Sequence, residues 1–251
     1  MILGLDISTS CIGMSLYEEN GTILVIDHLE IKPDKNKEHS TRYIYKGLAF
    51  KRKIEEYYNK YGEKITNIFV EAPLESSNNQ MTVIKLAEMN AVCCYIIKDV
   101  FKIEPTLITV SKARAYFLPE YSNTKKIKVY NNDFTSFIAE NNIKITKKDI
   151  ELIKKLKLTE KDLEETLKNI SEKYNINMEY IPNPYIYETK YTLKKIMNID
   201  IKELILQRIL QKHPQLIELM EYDKNGNPKK YFYDIADSCV VSLAGLKDLN
   251  K

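Results

Sequence analysis

ILGLDISTSCIGMSLY, residues 2 to 17, decides the fold. Residues 2 to 7 form a continuous apolar run, residues 11 to 18 alternate, and residues 22 to 31 are rich in β-branched side chains. Asn20-Gly21 lies between the last two segments, and Asn-Gly is the strongest short hairpin signal because both central residues of a type I′ turn need positive φ. The stretch therefore predicts an opening three-stranded antiparallel meander. Inside its first strand stands Asp6, a carboxylate in an apolar run, which is costly to bury without compensation.

Working outward, ITNIFVE (65 to 71) reads as a buried strand that ends on Glu71, stopped by Ala72-Pro73 because proline cannot donate to a ladder. Between these strands, Ser40 or Thr41 can cap a helix carrying Ile44, Leu48, Ile54, Tyr57, Tyr58 and Tyr61 at roughly helical spacing, after a polar loop from Pro33 to His39. A long helix is expected from about Gln80 to Phe101, with Val83, Leu86, Ala87, Asn90, Cys93, Cys94 and Ile97 on one stripe. Pro105 then leads into a strand from Thr106 to Val110, and Ser111 is read as the cap of a short helix.

After Pro119 the composition shifts. Residues 120 to 197 are rich in Lys, Asn, Ile and Tyr and are read as a mainly helical insertion within a single 1 to 251 domain, lying between the fifth strand and the next helix. Helical patterns fall at 147 to 157 and 160 to 174, with Thr159 as a cap, whereas Ile181 to Tyr191, with Pro182 and Pro184, reads as irregular. Beyond it come an amphipathic helix from Ile201 to Gln211, a turn at Asn225-Gly226-Asn227-Pro228 and a final apolar helix from Asp234 to Leu246.

With 251 residues the chain can bury one substantial core and carry an elaboration, and 44% hydrophobic with 29% charged residues is ordinary globular composition. A net charge of +3 is too small to announce a polyanion partner by itself, so charge placement must decide. Cys11, Cys93, Cys94 and Cys239 contain no C-x-x-C pair and read as reduced core residues, which implies a cytoplasmic setting. The start MILGLDIST has no basic leader and is not expected to be a secretory signal. No apolar stretch of about 18 residues is evident for a bilayer span, so no membrane partner is expected. His28, His39 and His213 are scattered without a cysteine framework, which speaks against structural zinc and leaves any metal to carboxylates.

Those carboxylates are Asp6, Glu71, Asp234 and Asp237, each placed where the pattern predicts burial. A lone aspartate at a strand end is usually a turn former. Asp234 alone serves equally as the N-cap of its helix. Asp237, one turn inside and on the same helical face, has no such bland role. Several buried acids together imply a compensating cation, and hard oxygen ligands suit magnesium or manganese.

The order of these segments resembles the RuvC-type Holliday-junction resolvases of the ribonuclease H-like superfamily. ILGLDISTSCIGMSLY resembles the family's first strand pair, and IFVEAP its second acid at the end of the fourth strand. TVIKLAEMNAVCCYII resembles the helix that follows, PTLITVSKARAYFL the fifth strand with its basic residues, and YDIADSCVVSLAGL the helix bearing two acids. The resemblance covers roughly 1 to 118 and 200 to 246. It implies a three-layer α/β fold with a mixed five-stranded sheet of order 3-2-1-4-5 flanked by helices, acting as a homodimer on branched DNA such as a four-way junction. It implies that Asp6, Glu71, Asp234 and Asp237 are catalytic and hold two Mg2+ ions, with Mn2+ able to substitute, and that Lys112, Arg114 and Lys202 contact DNA. No small-molecule cofactor is implied. The chain departs from the family at Leu74-Glu75-Ser76-Ser77, where an aromatic wedge is usual, and in the 120 to 197 segment, which compact members lack.

Two other classes compete. An actin-like or sugar-kinase-like ATP-binding protein also opens on a strand with an aspartate and a small-residue turn. The seven glycines (4, 13, 21, 47, 62, 226 and 245) form no phosphate loop. A non-catalytic protein that binds branched DNA is the other class, and the four acids argue against it. Lysine clusters at 125, 126 and 128, at 147 and 148, at 154, 155 and 157, and at 194 and 195 are candidate phosphate contacts, though such runs are usually solvated faces. Tyr185, Tyr187 and Tyr191 beside Lys190 and Lys194 invite a base-stacking role, against which simple packing is the preferred reading.

Overall fold

A computed structural model of the chain describes residues 1 to 31, 39 to 73, 79 to 144, 151, 160 to 193 and 200 to 250. The expected Ser40 or Thr41 and Thr159 caps, the wedge segment 74 to 77, the helical pattern at 147 to 157 apart from Glu151, and the lysines at 147, 148, 154, 155, 157, 194 and 195 have side chains outside the described residues.

The opening meander is as expected: β1 (Ile2–Ile7), β2 (Cys11–Tyr17) and β3 (Ile23–Glu30) pair antiparallel, with Asp6 opposite Gly13 and Ile12 opposite Leu29. Gly21 adopts φ 85° in the turn, where the left-handed region favours glycine. The helix α1 (His39–Tyr61) crosses to β4 (Asn67–Glu71), which pairs parallel to β1. The helix α2 (Gln80–Phe101) then returns the chain to β5 (Thr106–Ile108), parallel to β4. The sheet order is β3-β2-β1-β4-β5. This is the mixed α/β order of the ribonuclease H-like fold.

β2 alternates in sequence but is buried on both faces. Its Ile12, Met14 and Leu16 join Leu3, Leu5, Val70, Phe50, Ile54, Met89, Cys93 and Ile97 in a core under α1 and α2. Its other face bears the small residues Gly13 and Ser15, because a helix lies directly on it. That helix is α7 (Tyr231–Leu249), which with α3 (Val110–Phe117) and α6 (Ile201–Lys212) covers the opposite face through Ile235, Cys239, Val240, Val241, Ile205 and Ile209. A Cβ at Gly13 would fall on the Asp234 carbonyl, one at Gly4 on Ser242, and one at Gly245 on the Phe69 ring. Three glycines thus set the approach of helix to sheet.

Several boundaries differ from expectation. β5 ends at Ile108, and Thr109 rather than Ser111 caps α3, accepting from the Lys112 N–H. The last helix begins at Tyr231, so Asp234 lies in its first turn and is not its N-cap, which is Lys230. α2, among the described residues, is long and apolar enough by length and mean hydropathy to cross a membrane, which corrects the reading that no such stretch exists; its Met89, Cys93 and Ile97 nevertheless face the sheet core.

The chain divides into two compact units, one formed by Met1–Asn123 with Thr192–Lys251 and the other by Thr124–Tyr191. In the second, α4 (Asn132–Glu140) and α5 (Glu160–Tyr174) enclose Phe134, Ile143, Leu163, Ile170, Ile181 and Tyr185. β6 (Ser122–Tyr130) and β7 (Tyr185–Leu193) form a two-stranded ribbon. The stretch 181 to 191, read as irregular, is therefore largely strand.

Candidate active site

β1 and β4 run parallel as neighbours, so their C-terminal ends deliver Asp6 and Glu71 to the same end of the sheet. α7 lies across this end. Because the Gly13 gap admits its first turns against β2, Asp234 and Asp237 face the same place. The four carboxylates line one cavity of about 290 Å3, together with Arg114 of α3 and Lys202 of α6.

Its electrostatics are those of crowded acids. Burial raises the Asp6 carboxyl well above the usual carboxylate range, and Glu71, Asp237 and Asp234 push it further. Burial and then Asp237 lift Glu71 to about 7, against the downward pull of Arg114 and Lys202. Asp234 is raised by burial, partly offset by a hydrogen bond with Cys11 and by Lys202. For Lys202, burial acts downward, but Asp237, Asp6 and Asp234 prevail and raise it. Asp237 is bridged by both cations, with Arg114 Nη2 and Lys202 Nζ each 3.4 Å from its Oδ2. Arg114 Nε is buried without a hydrogen-bond partner.

Hard oxygen donors that repel one another match a divalent cation in chemistry. Their placement is less complete: among the described residues no three His, Cys, Asp or Glu side chains are grouped to hold one ion. The two cations on Asp237 partly fill the charge role an ion would take.

Of the sequence-predicted DNA contacts, Arg114 and Lys202 line the acidic cavity, whereas Lys112 does not. Its Nζ sits 2.6 Å from Asp248 and over the Tyr116 ring. Supporting residues were not singled out by sequence. Asn90, buried on α2, donates from Nδ2 to the Glu71 carbonyl at 2.9 Å and fixes the end of β4. Lys46 donates to the Thr9 carbonyl in the β1–β2 turn, and Ser8 Oγ accepts from the Cys11 N–H at 3.0 Å. Ser15 and Ser242 share a buried 2.9 Å hydrogen bond where α7 meets β2. A buried asparagine in an apolar helix stripe is the one signal of this group readable beforehand.

Strand order thus defines a ribonuclease H-like α/β fold, with an acidic cavity at the end of β1 and β4. No protein-family model and no curated protein matches the sequence. Solved structures of similar shape include Thermus thermophilus RuvC in complex with Holliday junction substrate, at TM-score 0.38 and 7% identity, covering 46% of this chain and 68% of that one. A ROK hexokinase from Thermus thermophilus is similar at TM-score 0.29 and 10% identity over 52% of this chain and 43% of that one. The ethanolamine utilization protein EutJ from Carboxydothermus hydrogenoformans is similar at TM-score 0.34 and 11% identity over 97% and 88%. At these scores the likenesses say nothing about residues or reaction, and the fold class rests on the strand order itself.

Proposed function

We propose that the chain is a divalent-metal-dependent endonuclease acting on branched DNA, such as a four-way junction, as a homodimer in a cytoplasmic setting. The observation that carries this reading is the convergence of Asp6, Glu71, Asp234 and Asp237 on one cavity from two adjacent strand ends and one helix. These four would hold Mg2+ or Mn2+, two ions per site, and a bound ion would supply Lewis-acid polarisation of a phosphodiester. Arg114 and Lys202, already inside the cavity, are the groups to meet the phosphate. Lys112, tied to Asp248, is a weaker candidate for that contact.

The test is incubation of purified protein with a four-way junction and a linear duplex, in magnesium, calcium or chelator. Paired nicks on opposite strands in magnesium, and none in chelator, support the reading; full cleavage in chelator sinks it. An ATP-binding protein of the sugar-kinase or actin-like class is the competing reading, and ATP hydrolysis with no DNA incision in the same preparation would establish it.

A further inference from the structure

The β6–β7 ribbon takes no part in the acidic cavity, and its own residues suggest a use. The Asn131 N–H donates to the Pro184 carbonyl at one end, and Thr192 Oγ1 to the Asn123 carbonyl at the other, so the strands run antiparallel. Counting from Asn131 and Pro184 sets Tyr130 across from Tyr185, Lys128 across from Tyr187, and Lys125 across from Lys190. Among the described residues, only the Tyr130 and Tyr185 end packs into the core of its unit. The rest is a two-stranded ribbon with exposed residues on both faces, an arrangement that is marginal in water by itself.

Its composition is four lysines against the single acid Glu188. Lys125 and Lys190 leave one face as a directly opposed like-charge pair, which disfavours the ribbon's own pairing. Lys126 leaves the other face, which also bears Tyr187 at 64% exposure, while Lys128 on that face is half-buried over the Tyr185 ring. A single strand lying flat would be served by one cationic, aromatic face. Cations on both faces suit a ribbon lying in a duplex groove with phosphates on either side, and a major groove about 12 Å wide admits a two-stranded ribbon.

We infer that the β6–β7 ribbon is a duplex-DNA-binding arm whose lysines contact backbone phosphates. This rests on the reading that the substrate is DNA. The test is fluorescence anisotropy with labelled linear duplex and labelled single strand, in chelator, over a salt series. Lys125→Gln combined with Lys190→Gln should weaken duplex binding roughly tenfold and flatten its log–log salt slope by about 1.8, at about 0.9 per lost phosphate contact. Lys126→Gln, on the opposite face, should flatten it by about 0.9. Tyr187→Ala should change duplex affinity less than about twofold, since the phosphate contacts remain. Unchanged duplex affinity and slope in both lysine variants, or a loss of duplex affinity in the Tyr187 variant as large as that in the lysine variants, would overturn the proposal. Wild-type protein that binds no DNA removes both this inference and the nuclease reading. Ribbon-dependent binding without incision in magnesium or manganese removes the nuclease reading alone.

Discussion

Asp6 and Lys125 are both charged residues on β-strands, and the chain treats them in opposite ways. Asp6 is buried on a strand covered on both faces, among three other acids that raise its carboxyl. Lys125 stands on a ribbon open to solvent. A buried charge must be answered by neighbours, so it constrains everything around it; a solvated charge constrains almost nothing. The first region holds the acidic cavity in place. The second offers a surface.

The widest separation between the regions should appear in cleavage. If the proposed nuclease reading holds, Asp6→Asn, Glu71→Gln and Asp237→Asn should each lower magnesium-dependent incision of a four-way junction by on the order of 100-fold or more, because losing one of the four carboxylates would misplace a bound ion. Junction affinity should stay within several-fold. Lys125→Gln, by contrast, should leave the single-turnover incision rate of saturated enzyme unchanged. An acid variant that incises at the wild-type rate would remove that residue from the site, and a slowed saturated rate for the lysine variant would dissolve the distinction.

Packing comes next in size. Gly13 is where α7 touches β2, and an added methyl would meet the Asp234 main chain rather than a movable side-chain tip. Gly13→Ala should therefore cost about 3 kcal/mol or more, lowering Tm by roughly 10 °C for a chain of this size. Gly226, at φ 79° with open space around it, carries only conformational strain. Gly226→Ala should cost about 1 kcal/mol. Equal losses in thermal melts of the two variants would show that the helix does not rest on Gly13 as described.

The same contrast governs what could be read in the sequence. β1, β4 and α2 announced themselves because burial demands apolar runs and stripes, and the α2 limits Gln80 to Phe101 were legible to the residue. Asp6, Glu71 and Asp237 stood out as acids against that background. β6 and β7 were missed for the converse reason: YIYETKYTL does alternate, with Tyr185, Tyr187, Tyr191 and Leu193 spaced by multiples of two, but the neighbouring Pro182 and Pro184 argue against a strand, and in SNTKKIKVY three lysines leave only Ile127 and Val129 as an apolar face. Lys112 shows a third limit, because sequence spacing places it near the fifth strand but cannot reveal that Asp248, 136 positions on, holds it. Neither could spacing reveal that Arg114 and Lys202 both bridge Asp237.

Replacing residues 124 to 191 by a short Gly-Ser linker tests whether the two regions are separable. The acidic cavity and both cores of the sheet are built from residues of the other unit. The shortened chain should keep a cooperative melt and magnesium-dependent incision, with duplex binding weakened by roughly tenfold and a flatter salt dependence. Loss of cooperative unfolding would mean that the 124 to 191 unit is part of the folding core. Unchanged DNA affinity would deny that unit a role in binding.

The smallest expected effect, and the one most specific to the acidic region, is on stability against pH. Glu71 is lifted by burial and by Asp237 to about 7 from an ordinary 4.5. A carboxyl whose folded value is raised adds stability while protonated, fully present below about 4.5 and lost as pH rises through about 7. Glu71→Gln is uncharged at every pH and lacks this loss. In chelator the two proteins should therefore melt together near about pH 5, and the variant should melt a few degrees higher near about pH 8. Adding magnesium or manganese at the higher pH should raise the wild-type Tm more than that of the variant, because a cation answers the charge only where the charge is present. A difference between the two that stays flat over this range would show that Glu71 ionises without cost in the fold. The crowding of acids that motivates the metal reading would then be absent.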